Sequence, residues 1–148
     1  MTQQDKDLLL RDLCARLPYG IKVAFEEDGE LIIDTITMIG WPSDEFMLYE
    51  ASEFFTIDGI KPYLRPISSM TEDEVNKLFK ILKINEDNEK EWLKVNDINI
   101  IRLFTEEGKD FYEIAEALDY LNSIHVDYRE LIEKCLAIEV TDENNPYK

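Results

Sequence analysis

The chain is poor in the residues from which most catalytic sites are built. It has one histidine, His125, and two cysteines, Cys14 and Cys135. A lone histidine cannot furnish both a histidine-based triad and a separate metal site. The cysteines are far apart and form no Cys-x-x-Cys pair, so they read as small buried apolar residues of a reducing compartment. Glycine is scarce, at five residues, and none falls in a GxGxxG or GxxxxGK[ST] pattern. Nothing in the sequence therefore cradles a phosphate. GxSxG and HExxH are also missing. No apolar run approaches the roughly 20 residues that cross a bilayer. The opening MTQQDKD is not a secretory leader, and neither end carries a lipidation signal. A cytoplasmic protein is expected, without cofactor or metal.

Positive charge is the other shortage. Lys and Arg number 16 against 33 Asp and Glu, a formal net charge of −17. The acid excess runs through both halves of the chain. Such a field repels phosphate and anionic lipid, so direct nucleic-acid and membrane binding are not expected. It favours solubility, or a basic protein partner. It also admits a DNA mimic, which needs carboxylates in rows at phosphate-like spacing. Lys77, Lys80 and Lys83 interrupt any such row in their own segment.

What is present specifies an α+β domain. Thr2-x-x-Asp5 starts a helix over residues 2–17, with Leu10, Leu13, Cys14 and Leu17 on one face and Pro18 ending it. Ile21–Phe25 reads as a strand, Asp28-Gly29 as a hairpin turn, and the β-branched run Glu30–Ile39 as the return strand. Phe46–Ala51 and residues 54–65 follow as strands, the latter broken at Gly59 and kept to an edge or loop by Pro62. Thr71-x-x-Glu74 is a capping box for a helix with Val75, Leu78, Phe79 and Leu82 inward. A strand near Ile98–Phe104 comes next. Residues 109–124 form a helix lined by Phe111, Ile114, Ala115, Leu118 and Leu121. Asp127-x-x-Glu130 opens a last short helix carrying Tyr128, Leu131, Ile132 and Cys135, and 141–148 should fray. The expected architecture is one domain over 1–148, a small antiparallel sheet from the first half packed against about four helices.

Candidate functional residues are few. Lys61-Pro62-Tyr63-Leu64-Arg65-Pro66 lies in an acid-free stretch, and two prolines fix its backbone as for a rigid recognition loop. Trp41 supplies an aromatic anchor for the same partner. His125 and Asp127 are the alternative, a base with its orienting carboxylate or two ligands of a metal. Two ligands fall short of the three protein ligands a zinc site needs, and His125 also continues the apolar stripe of its helix. Asn85, Asp87 and Glu89 echo alternating calcium ligands, but the sixth position lacks glycine and the twelfth is Asn96.

Three blocks, LCARLPYGIKV at 13–23, GIKPYLRPISSMTEDE at 59–74 and DYRELIEKCLAIEV at 127–140, resemble a group of uncharacterised proteins from gut anaerobic bacteria, their prophages and other mobile elements. The resemblance covers a quarter to a third of the chain and brings no activity with it. It implies a bacterial or phage cytoplasm and an accessory role. It adds Tyr128 and Arg129 to Lys61, Tyr63 and Arg65 as candidate partner-binding residues. In that group Gly often stands where this chain has Glu130 and Cys135, which implies turns there. Together these readings point to a non-enzymatic accessory protein that binds another, unidentified protein. A small hydrolase or metal-dependent enzyme built on His125 and Asp127, and a DNA mimic, are the alternatives.

Overall fold

Thr2 opens the first helix of the computed structural model, which describes residues 1–40, 45–48, 54–83 and 111–148. Its hydroxyl accepts the Asp5 N–H at 3.2 Å, and the Asp5 carboxylate accepts the Thr2 N–H at 3.0 Å. This reciprocal box satisfies two of the N–H groups that a helix start leaves without partners. Helix α1 spans Gln3–Arg16, and a 3₁₀ turn at Leu17–Tyr19 leads to Gly20, which is left-handed at φ 68°.

Strands β1 (Lys22–Glu27) and β2 (Glu30–Gly40) form the expected hairpin. Its two-residue turn holds Asp28 at φ 52° and Gly29 at φ 83°, the positive-φ pair that matches the twist of the flanking strands. Strand β3 (Glu45–Leu48) pairs antiparallel with β2, and β4 (Phe54–Thr56) pairs antiparallel with β3. The Gly59 break is a 3₁₀ turn at Ile57–Gly59, followed by β5 (Ile60–Pro66).

Pro62 lies within β5, opposite Val23 of β1. Proline has no N–H to exchange, so this position takes no ladder bond from it, and pairing on the far side of β5 begins only at Tyr63. The stretch after the Gly59 break is thus the strand expected there and not a recognition loop. Helix α2 spans Glu72–Ile81 behind the Thr71–Glu74 capping box, and α3 spans Phe111–Ser123. Two-residue strands β6 (Val126–Asp127) and β7 (Ile138–Glu139) complete the described elements. Both pair parallel with β5, so the sheet is mixed rather than antiparallel throughout.

Three α-helices are present among the described residues, against about four expected. The missing one is the segment after Asp127. Glu130 sits at φ 61° and Cys135 at φ 58°, so only a single turn forms between them. That turn closes with Leu136 N–H on the Leu131 carbonyl and Cys135 N–H on the Ile132 carbonyl, the bond pair of a Schellman motif. The expected strand near Ile98–Phe104 and the calcium-like positions lie outside the described residues.

The chain divides into two compact units, Met1–Leu64 with Arg129–Lys148, and Arg65–Tyr128. The core of the first joins Leu9 and Leu13 of α1 to Val23, Phe25, Ile36, Ile60 and Leu64 of the sheet, with Leu131, Leu136 and Ala137. The core of the second joins Val75, Leu78 and Phe79 of α2 to Ala117, Tyr120 and Leu121 of α3, with Val126 and Tyr128. Each fully buried leucine contributes about 1.5–3 kcal/mol from apolar burial. On α3, Phe111 and Ala115, expected inward, are exposed, and the buried positions begin at Ala117. Cys14 and Cys135 are exposed rather than buried.

Residues 141–148, expected to fray, carry defined contacts. Asn144 accepts the Thr141 N–H at 2.7 Å, and Tyr147 packs partly against the first core. Continuing the β1–β5 register would put Lys22 opposite Tyr63. There the Tyr147 hydroxyl takes the place of a direct ladder bond: it accepts the Lys22 N–H at 3.3 Å and donates to the Tyr63 carbonyl at 2.8 Å.

Candidate functional site

The expected partner-binding residues separate by environment. Trp41 lies outside the described residues. In the first unit Lys61 is exposed, Tyr63 is buried in β5, and Arg129 is half-buried. In the second unit Tyr128 is buried and its hydroxyl donates to Asn122 Oδ1 at 3.0 Å. Arg65 is taken up internally. Its Nη1 and Nη2 reach the two Glu74 carboxylate oxygens at 2.8 and 2.9 Å, and Nη2 also reaches the Ser69 carbonyl at 2.9 Å. Glu74 is at the same time the capping residue of α2, accepting the Thr71 N–H at 2.8 Å. The Arg65 hydrogen bonds hold its carboxyl below the usual glutamate range, against the opposing effect of burial. Arg65 therefore fastens β5 to the start of α2, and of the expected lysine–arginine pair only Lys61 faces solvent.

His125 and Asp127 are both buried. His125 has φ 56°, a conformation in which histidine is several-fold enriched among non-glycine residues. Its N–H donates to the Asn122 carbonyl at 3.1 Å, as a helix-terminating residue does, and its carbonyl accepts the Arg65 N–H at 2.8 Å. Asp127 lies in β6 opposite Pro66. The backbone of this pair ends α3 and starts a strand. Among the described residues no three His, Cys, Asp or Glu side chains stand together as metal ligands.

A buried ionic group went unrecognised in the sequence. Asp12 and Arg16 are fully buried, with Arg16 Nε and Nη2 on the two Asp12 oxygens at 2.8 and 3.0 Å. Arg129 Nη1 lies 3.7 Å from Asp12 Oδ1. The signal was available: residues 9, 12, 13 and 16 make one helical stripe, and Asp12 and Arg16 are four apart on it. Asp34 is also buried, on the core side of β2, and accepts the Thr35 N–H at 2.6 Å.

The opposite side of the sheet carries the surface of interest. Alternation along β2 puts Ile32, Asp34 and Ile36 on the core face and Leu31, Ile33 and Thr35 on the outer face. Between Ile36 and Met38 the register with β3 advances two residues on β2 for one on β3. This bulge flips the alternation, so Met38 joins the outer face and Ile39 returns to the core. Leu31, Ile33 and Met38 are 66%, 43% and 51% exposed. They form an apolar stripe about 20 Å long at the rise per residue of a strand. Its neighbours follow from register: Glu26 opposite Leu31, Ala24 opposite Ile33 and flanked by Lys61, and Lys22 opposite Thr35.

Comparison of the chain with protein-family models, curated proteins and solved structures finds no match. Among the described residues no helix is long and apolar enough to cross a membrane.

Proposed function

We propose that this chain is a non-enzymatic protein-interaction protein whose contact surface is the outer face of the β1–β2 hairpin. The observation that carries the reading is the exposed stripe of Leu31, Ile33 and Met38, kept in line by a bulge. Three large apolar side chains aligned on one sheet face are the kind of patch that marks an interaction site, whereas scattered ones are ordinary. The surroundings of His125 and Asp127 support the same choice, because both are buried at a helix end and strand start rather than presented in an open site.

The test is affinity capture from the source cell's lysate, followed by reconstitution with each captured protein in purified form. Wild type and the Leu31→Ser/Ile33→Ser variant are compared by calorimetry. The reading expects a saturable complex whose Kd rises by roughly tenfold or more in the variant, with the melting temperature little changed. A variant that binds as tightly as wild type would remove this face as the contact. Arg65 is unsuited to such a test, since its substitution breaks the Glu74 clasp.

A further inference from the structure

Resting on that reading, we infer that the stripe receives an extended, apolar segment of a partner protein bearing lysine or arginine at the end that lies over the β1–β2 turn. Charge complementarity sets the direction of docking. Four of the five residues at the hairpin tip are acidic and exposed: Glu26, Glu27, Asp28 and Glu30. Among the described ion pairs none involves any of them, although Lys6, Lys83 and Lys134 elsewhere all find carboxylates. Glu27 and Glu30 stand directly opposite each other in the ladder. A like-charge pair in that arrangement opposes hairpin closure. The tip thus carries negative charge that no described residue pairs with, at the end of the stripe where Leu31 lies beside Glu26.

Further along the same face the charge changes sign. Lys61 flanks Ala24 in the row of Ile33, and Lys22 occupies the next row. The surface is therefore polarised: acidic at the turn, apolar along β2, basic beside β1 and β5. A basic segment laid the other way round would put its cations over Lys61 and Lys22. Polarity fixes the direction of docking, which apolar contact alone would leave open. The net charge of −17 acts in the same sense by attracting cationic partners at long range and repelling a second copy of this chain.

The inference is tested with two synthetic twelve-residue peptides of alternating valine and threonine. One carries three lysines at one end and the other three glutamates at that end. Binding to the full chain is read by fluorescence anisotropy, and self-association by sedimentation. The expected result is binding of the lysine-ended peptide roughly tenfold or more tighter than the glutamate-ended one. The preference should collapse in the Glu26→Gln/Glu27→Gln/Asp28→Asn/Glu30→Gln variant, whose turn keeps residues suited to it. Equal affinity of wild type for both peptides, or binding of neither, overturns the cationic partner and leaves the contact surface standing. Lysine-ended binding that survives Leu31→Ser/Ile33→Ser overturns the contact surface itself. A dimer abolished by that same variant makes a second copy the occupant and overturns the inference.

Discussion

The two units solve the problem of charge in opposite ways. The first, built on α1 and the β1–β5 strands, buries an ion pair completely, Asp12 with Arg16, on the face that packs the core. The second, built on α2 and α3, has an apolar helix interface and leaves its Arg65–Glu74 pair about a fifth exposed beside a helix start. A buried pair contributes little net stability, because loss of water offsets the attraction, but it penalises any arrangement that separates the partners. A partly exposed bidentate pair that also caps a helix stabilises one local junction. The buried pair of the first unit therefore specifies one packing, and the clasp of the second fastens a turn.

The largest effect should come from breaking the buried pair on one side. Arg16→Leu leaves the Asp12 carboxylate in the core without its main partner and is expected to cost about 3–5 kcal/mol in urea denaturation. The double variant Asp12→Leu/Arg16→Met should recover most of that loss. Two equal and additive losses would show that Asp12 and Arg16 act independently, which would erase the contrast between the units.

Next comes the Arg65–Glu74 clasp. Glu74→Gln removes a charge-assisted bidentate bond and is expected to cost about 1.5–3 kcal/mol at neutral pH. Because the folded state holds the Glu74 carboxyl below its ordinary value, this contribution is present above the ordinary carboxylate range and is lost as pH falls below about 4. The gap between wild type and Glu74→Gln should narrow in urea titrations at pH 3. A gap that stays constant would mean the clasp works by shape and capping rather than by charge.

Much of this arrangement was legible in the chain, and the exceptions have physical causes. Thr2–Asp5 and Thr71–Glu74 announced two helix starts because a capping box is a local, side-chain-encoded bond set. Asp28-Gly29 announced the hairpin because few residue pairs take positive φ twice in succession. The buried Asp12–Arg16 pair escaped because a binary polar–apolar pattern assigns charges outward, and so it favoured Leu10 and Cys14 over the stripe through residues 9, 12, 13 and 16. The alternation of Leu136, Ile138 and Val140 announces a short strand where β7 lies, whereas the two residues of β6 have no periodicity to read. The bulge that brings Met38 to the outer face depends on its pairing with β3, which sequence alternation does not report. Within the candidate surface Lys61 is legible as a partner-binding residue. Its companions, Leu31 and Ile33, read simply as part of a β-branched strand.

Tyr147 tests how far the first unit depends on its bridging polar groups. Tyr147→Phe leaves the Lys22 N–H and the Tyr63 carbonyl without their shared partner, at an expected cost of about 1–2 kcal/mol. Burial pushes the phenol above its ordinary range, with the Lys22 N–H opposing in part. A raised value means stability that is complete below about pH 10 and is lost as pH rises further, since unfolding then releases the proton. Wild type should lose stability above about pH 10 more steeply than Tyr147→Phe does, and parallel profiles would show that the hydroxyl is not held in this environment.

The smallest expected effect is also the one of opposite sign. Glu130 and Cys135 hold left-handed backbone on either side of a single turn, and Cys135 is the residue that closes its Schellman bond pair. A side chain in that conformation costs about 1–2 kcal/mol, and glycine gives back part of the gain through its greater freedom when unfolded. Cys135→Gly is therefore expected to stabilise by about 0.5–1 kcal/mol, and Cys135 is exposed, so little packing is lost. Stabilisation by Cys135→Gly together with destabilisation by Cys135→Val, measured in the same denaturation series, would separate backbone strain from any contribution of the thiol. If both variants destabilise equally, the thiol matters more than the strain, and the first unit holds a polar contact at Cys135 that the backbone geometry does not explain.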